Sequence, residues 1–437
     1  MYSPNEDASV LPLTPYGERG GLPLDAPKLL GADHAGVDIA VIGGGITGLS
    51  LALHASEAGA RVAVLEAKQV GWGASGRNGG HIPAATKLEP TELLRRYGPE
   101  RGMRLIDTVA SGPDLLFGLA QKHGIDAELV RSGVISAACT PRALETLRKR
   151  TEFWQSKGID LPFLDRDAAA RVIGTQRYHG GSLDPRGGTI NPLVFSRGIA
   201  RAASAAGALL YEQSPVTSCR RQGSTWHVST AEGELKADMV AICTNAYTDD
   251  LAPGLGTSLV PVRAYQYLTE PLPEPVLKSI LPGRQGVTDS RRLMSGLRIH
   301  SSGGLFFSGL GNPFGPTATP NLGYSLRRIR HLFPQLAKTR LAFWWTGWMA
   351  MNSENEWKIH ELAPGMVSAL GCNGRGFVIG TLLGRELARY FKGVSQPDLM
   401  LPFVPVRRIP MFDFHVPLIR SLVTYYRLRD ALDDMVY

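Results

Sequence analysis

The stretch VDIAVIGGGITGLSLALHASEAGARVAVLEA, residues 37–67, constrains this chain more than any other, because its residue types fall in the order strand, glycine turn, helix, strand. Val37, Ile39 and Val41 begin a short β-branched run of the kind buried on both faces of a parallel sheet. Gly43-x-Gly45-x-x-Gly48 follows directly. In such a unit the first glycine makes the tight turn, the second admits a pyrophosphate close to the backbone, and the third lets helix pack on strand. The phosphates then meet the positive end of the helix. The next strand ends on Glu66, 23 residues after Gly43, where a carboxylate accepts from ribose hydroxyls and disfavours a 2′-phosphate. The expectation is a dinucleotide site for FAD or NAD rather than NADP.

Two further glycine-rich loops narrow the choice. GWGASGRNGGHIP, residues 71–83, has no place in the plain NAD-binding fingerprint. Gly73, Ala74, Ser75 and Gly76 let the chain wrap closely round a ligand, and Ser75, Arg77 and Asn78 carry groups that bond phosphate, ribitol or ring atoms. Far downstream, VSALGCNGRGFVIGTLLGRELARYF, residues 367–391, has the pattern strand, glycine loop, helix. A helix starting near Gly376 aims its positive end at an electron-rich group; on a flavin that is the N1 and C2 carbonyl edge. Surface looping for the first segment and simple helix capping for the second are the alternatives.

These segments together resemble the D-amino-acid oxidase superfamily of FAD-dependent amine oxidoreductases, and within it the gamma-glutamylputrescine oxidoreductase group. The likeness rests on VIGGGITGL, Glu66, GWGASGRNGG and ALGCNGRGF, with weaker support from VTSCRRQGSTWHV, VAICTNAY and YYRLRDAL. It implies an α/β fold in which a Rossmann-type FAD-binding lobe is interleaved with an α+β substrate lobe built on a mixed sheet. It also implies oxidation of a carbon–nitrogen bond by hydride transfer to flavin N5, giving an imine that hydrolyses. The cofactor-binding residues it implies are Gly43, Gly45, Ile46, Thr47, Gly48, Glu66, Ala67, Gly73, Ala74, Ser75, Arg77, Asn78, Gly79, Gly80, Val216, Thr244, Asn245, Gly374, Arg375, Gly376 and Phe377. Candidates near the flavin ring are His81, Arg298, Trp348 and Asn352. Arg298 matches an arginine of the related group and is a candidate for a substrate carboxylate, with a strand-edge surface position as the alternative. Trp344 and Trp345 join Trp348 as possible walls of an amine pocket, against plain core packing.

Two departures from the resemblance carry weight. Sarcosine oxidase-like members have a Lys after the glycine loop to hold a substrate carboxylate, whereas Val378 follows Phe377 here. They also attach flavin through an upstream cysteine, and TGWMAMNSENEWKI contains none, so FAD is expected to bind non-covalently. Lys358 stands where many relatives have proline, facing either the pocket or solvent. An NAD-dependent dehydrogenase and a catalytically inert flavin-binding protein are the competing functions.

With 437 residues the chain is long enough for two packed lobes. The expected division gives residues 37–90, 188–256 and 340–395 to the FAD lobe and 91–187 and 257–339 to the substrate lobe. Residues 1–36 form a polar arm and 396–437 a helical tail. Asn191 and Pro192 supply an N-cap and first residue for a helix, and Glu232-Gly233 a hairpin turn. Four cysteines without CxxC spacing suggest neither zinc nor a disulfide framework. With no signal peptide or membrane-spanning run visible, the expected location is the cytoplasm. A net charge of +8 fits an anionic ligand, and no nucleic-acid module accompanies it. The expected partners are a small amine substrate and either O2 or a respiratory electron acceptor. Arginines and aromatics in the tail suggest a membrane-surface helix, but acidic residues in RDALDD favour packing on the protein's own body.

Overall fold

A computed structural model describes residues 23–293, 296–315 and 317–436; the first 22 residues of the expected arm lie outside them. Two eight-stranded sheets dominate the described residues. The first is built on strands β1 (Gly31–Ile42), β2 (Val62–Leu65), β3 (Gly233–Ile242) and β6 (Met366–Leu370), all parallel, in the order β6-β3-β1-β2. Leu209–Tyr211 extends it beyond β2, Lys358–Ala363 runs antiparallel beside β6, and a hairpin folds onto β3 through Trp226–Ala237. Every side chain of β2 is buried, the signature of a parallel sheet covered on both faces. β1 starts six residues earlier than its apolar run predicts, because Gly31–Asp33 pair with Gly233–Leu235, before a register shift between Asp33 and Val37.

The second sheet centres on β4 (Val260–Thr269) and β5 (Leu341–Met351), antiparallel along their length, and continues through Leu305–Gly309, Gly296–Ile299, Gly286–Asp289 and three strands between 134 and 184. Each sheet has its own cluster of buried apolar side chains. Two segments fall on the other side from the expected division. Leu341–Met351 pairs with β4, not with the Rossmann sheet. The helices Pro90–Ala110 and Gly112–Lys122 bury Leu93, Leu105 and Leu116 in the core of the first sheet, since their apolar stripes find covering surface there.

Three helices set the site. Helix α1 (Ile46–Glu57) follows β1 directly. Helix α2 (Pro192–Ala205) is capped by the Asn191 side chain, which accepts from the Val194 amide at 3.2 Å. Helix α3 (Gly376–Phe391) crosses α1 at very close range. A Cβ on Gly384 would stand 2.4 Å from the Thr47 carbonyl oxygen and 2.7 Å from the Leu51 nitrogen; one on Gly380 would stand 2.8 Å from Thr47 Oγ1. The Ser50 hydroxyl donates to the Thr381 carbonyl at 2.7 Å across the same crossing. The two helix starts are thereby held side by side. Gly384→Ala places a methyl group against backbone, so a loss of about 1–3 kcal/mol in unfolding free energy is expected; an unchanged denaturant midpoint would contradict the close crossing.

Candidate active site

Both helix starts open onto one cavity of ≈ 1240 Å³ lined by Gly43, Gly45, Ile46 and Thr47 from α1 and by Gly374, Arg375, Gly376 and Phe377 from α3. That exceeds the roughly 300–1,000 Å³ of ordinary small-molecule pockets and leaves room for a dinucleotide with a second ligand. Neither helix has a side-chain cap at its N-cap residue or an acidic residue in its first turn. Their positive ends therefore face the cavity, as anion binding requires. Gly43, at φ +108, makes the turn against the Cys243 carbonyl, which a Cβ would approach to 3.0 Å. Gly48 does not line the cavity; a Cβ there would stand 2.2 Å from the Gly43 carbonyl oxygen, so its place is the strand–helix contact.

Glu66 and Ala67 line the cavity at the end of β2. The Glu66 carboxylate accepts from the amides of Gly44 at 2.7 Å and Lys68 at 2.9 Å. Burial pushes its pKa above the usual range, with these amides acting in the opposite direction. Val216, Thr244 and Asn245 also line the cavity. The Asn245 side chain accepts from the amides of Gly371 and Cys372 at 3.0 and 3.3 Å, so it shapes the glycine loop ahead of α3.

The loop at 71–83 supplies Gly73, Ala74, Ser75, Arg77, Asn78, Gly79 and His81 to the cavity. Ser75 Oγ accepts from the Ile46 amide at 2.9 Å, tying the loop to the start of α1. Arg77 serves the scaffold: its Nε donates to the Trp72 carbonyl at 2.6 Å, its guanidinium lies 4.8 Å from the Trp72 ring, and its carbonyl accepts from Trp345 Nε1 at 2.9 Å. Asn78 also folds back, donating to Ser75 O at 2.9 Å and accepting from Gly80 N at 2.8 Å. Gly80 lies beneath the loop, where a Cβ would meet the Ile190 carbonyl oxygen at 2.0 Å. The Arg375 guanidinium donates to the carbonyls of Ala85 and Thr86 at 3.3 and 2.8 Å, and burial pulls its pKa down to about 10, leaving it charged at neutral pH.

Among the four ring-side candidates, His81 and Trp348 face the cavity with chemistry to offer. His81 is tied by Nε2 to the Leu297 carbonyl at 3.0 Å. A carbonyl partner assigns the proton to Nε2 and leaves Nδ1 a lone-pair acceptor beside Gly79 and Gly296, both of which line the cavity. Burial lowers its pKa to about 4, so the ring is neutral at physiological pH. Trp348 is buried with its ring 4.4 Å from the Arg263 guanidinium. Asn352 borders the cavity, but its side chain is taken up by its own turn, donating to Glu356 O at 2.6 Å and accepting from the amides of Glu354 and Glu356. Arg298 corrects the expectation of a carboxylate ligand. It does not line the cavity; it is buried under the glycine loop, with Nε donating to Gly79 O at 2.7 Å, because its strand turns the side chain toward that loop. Lys358 pairs with Glu354 outside the cavity, Trp344 is exposed and Trp345 belongs to the core.

The model of the DAO family, FAD dependent oxidoreductases, matches residues 38–390. The chain belongs to the DAO family of FAD-dependent oxidoreductases. It is 30% identical over 404 residues to gamma-glutamylputrescine oxidoreductase of Escherichia coli (strain K12), covering 90% of this chain and 93% of that one. Glycine oxidase from Geobacillus kaustophilus shares the fold with a TM-score of 0.72 at 24% identity, over 85% of this chain and 98% of that structure. L-Proline dehydrogenase from P. horikoshii does so with a TM-score of 0.69 at 20% identity, over 85% and 95%. As a DAO-family member the protein is an FAD-dependent enzyme acting on C–N bonds of amines or amino acids.

Several lining residues of this DAO-family cavity were not apparent from motifs. Arg263 on β4 donates to Thr317 O at 3.1 Å and Gly315 O at 2.8 Å, while Arg291 and Arg292 follow the strand Gly286–Asp289. Trp72 and Tyr247 meet edge to face at 5.5 Å on another wall. The tail contributes as well: helix α4 (His415–Val436) lines the cavity through Ile419, Leu422, Val423 and Tyr426.

The neutral state of His81 has a measurable consequence. An unfolded histidine takes up its proton near pH 6.5, and the folded one only near pH 4, so the unfolded state binds more protons between these values. Stability therefore falls as pH drops from about 6.5 toward about 4. The unfolding free energy of His81→Gln should fall less steeply across this window than that of the wild type; identical slopes would show that His81 is not held neutral.

Proposed function

We propose that this enzyme oxidises the C–N bond of an amine that also carries a carboxylate: an amino acid, an N-substituted amino acid or an acyl-amine with an amino-acid end. The carrying observation is the charge of the cavity lining. Among the described residues, seven lysines and arginines line it, against two carboxylates, Glu66 and Asp249; Arg291 and Arg292 are paired with Asp289, Asp430 and Asp433 behind the lining, and the other five cations still outnumber the two lining carboxylates. Glu66 stands at the ribose position of the dinucleotide unit, which leaves Asp249 to meet a cationic substrate. A bare diamine gains little from such a wall, whereas a carboxylate gains Coulomb attraction strengthened by partial burial.

FAD, held without a covalent bond, supplies the acceptor for the hydride equivalent that leaves the carbon next to nitrogen. Gly43, Gly45, Ile46 and Thr47 at the start of α1 would hold its pyrophosphate, and Gly374, Arg375, Gly376 and Phe377 at the start of α3 would hold its ring edge. His81 Nδ1 accepts an N–H of the substrate and orients the nitrogen. Arg291 and Arg263 attract the carboxylate from the opposite sheet, a role that in sarcosine oxidase-like relatives falls to the lysine replaced here by Val378. Trp348 closes the wall behind them. The imine product then hydrolyses to a carbonyl compound and an amine or ammonia.

Anaerobic mixing with a substrate panel tests this reading. Loss of the flavin band near about 450 nm is expected with γ-glutamyl amines, glycine derivatives or cyclic amino acids, and not with putrescine. Bleaching by putrescine at equal or lower concentration would reverse the assignment. In the same assay Arg291→Met should raise the half-saturating concentration by about tenfold or more, the scale of a lost charged hydrogen bond.

A further inference from the structure

The tail helix α4 has two apolar faces, and only one is covered. On the inner side Val416 and Ile419 join Phe412, Val260 and Phe314 in a small buried cluster, and Tyr426 lines the cavity. On the outer side Leu418, Tyr425, Leu428, Leu432 and Met435 are about half to four-fifths exposed, and Phe414 at the helix entrance is 60% exposed. Eight of the twelve exposed large apolar side chains among the described residues fall between 411 and 435, so this is one patch and not ordinary surface scatter. Residues 418, 425 and 432 repeat every seven positions, with 428 and 435 between and beyond them. That spacing sets the exposed side chains in one continuous band along the helix.

Two acidic residues of RDALDD, Asp430 and Asp433, stand off this band. Asp430 is buried and Asp433 mostly so; both turn inward and pair with Arg292, at 3.1 and 2.6 Å. Beside the apolar band the exposed charges of the described residues are mainly cationic: Arg420 and Arg429 on α4, and Arg407 and Arg408 just before it, with Arg408 paired to the exposed Asp413. The whole chain carries a net charge of +8. α4 lies beyond the segment 38–390 that matches the family model.

We propose that the outer face of α4 docks on an anionic lipid surface. An amphipathic helix with apolar side chains on one face and arginines flanking them lies in the plane of a bilayer interface, gaining from apolar burial and from attraction to acidic headgroups. A second copy of the chain fits less well. Two-fold pairing through this band would bring the exposed arginines Arg420 and Arg429 of both copies into one apolar interface, where like charges oppose. Among the described residues no helix is long and apolar enough to cross a membrane, so the contact is peripheral. Since α4 is also a wall of the cavity, docking sets that wall beside the lipid. The inference stands independently of the substrate assigned above.

Sedimentation of the FAD-loaded enzyme with vesicles tests it. The enzyme should pellet with mixed phosphatidylglycerol–phosphatidylcholine vesicles, stay in solution with phosphatidylcholine alone, and be released by high salt. The double variant Leu428→Glu/Leu432→Glu, which touches no cavity-lining residue, should lose roughly tenfold or more of this partitioning with its flavin spectrum unchanged. Arg420→Gln/Arg429→Gln should weaken it in the same direction. Wild-type enzyme left in the supernatant with both vesicle types overturns the proposal. So does binding that neither double variant reduces. A dimer in light scattering that Leu428→Glu/Leu432→Glu converts to monomer, without vesicle binding by the wild type, assigns the face to a second copy instead.

Discussion

The close crossing of α1 and α3 is the contact on which the site depends. Helix starts are poor neighbours, because each carries partial positive charge. Here Gly380 and Gly384 remove the side chains that would separate the helices, and the Ser50–Thr381 hydrogen bond fastens them. The cost of bringing two positive ends to one cavity is offset when an anionic, electron-rich ligand lies between them. A flavin dinucleotide has both needed parts, a pyrophosphate and a ring edge that gathers negative charge on reduction. The three parallel strands β1, β3 and β6 fix where each helix begins, so the ligand site is a property of the sheet order as much as of any single motif.

Around that centre most polar side chains of the glycine loop act on protein and not on ligand. Arg77, Asn78, Asn245 and Arg298 all spend hydrogen bonds on backbone groups of the loops that border the cavity. Such loops have little apolar surface to hold them, so buried polar bonds fix their shape. This leaves backbone amides and His81 at the cavity, together with the cations of the second sheet, which line it while also bound to protein partners: Arg263 to the carbonyls of Gly315 and Thr317, Arg291 to Asp289 and Arg292 to Asp430. The division is physically sensible: a loop shaped to within a fraction of an ångström by its own side chains presents its backbone in a constant position.

The parts legible in the sequence were those set by local backbone demands. The turn at Gly43, the close approach at Gly48, the cap at Asn191 and the start of α3 at Gly376 each follow from residues within a few positions. Less legible was anything set by which way a strand side chain points. Arg298 lies in an apolar strand where either face was possible, and it turned under the loop and away from the cavity. Arg263 and Arg291 gave no signal, because their place in the cavity comes from sheet order over distances the chain does not record locally. The strand Leu341–Met351 lies in the segment 340–395 that the resemblance assigns to the FAD lobe; its antiparallel pairing with β4 is a long-range choice. In the tail, the acidic residues of RDALDD point to packing on the protein's own body, and Asp430 and Asp433 do pair inward with Arg292.

The central claim is that the two helix starts jointly hold the cofactor, and a crystal structure of the enzyme reconstituted with FAD tests it most directly. The result predicted is a pyrophosphate within about 3 Å of amides in the Gly45–Thr47 turn, with the pyrimidine edge of the ring at similar distance from amides at Gly376–Phe377. A flavin that meets only one of the two helix starts, or binds outside the cavity between them, would contradict it.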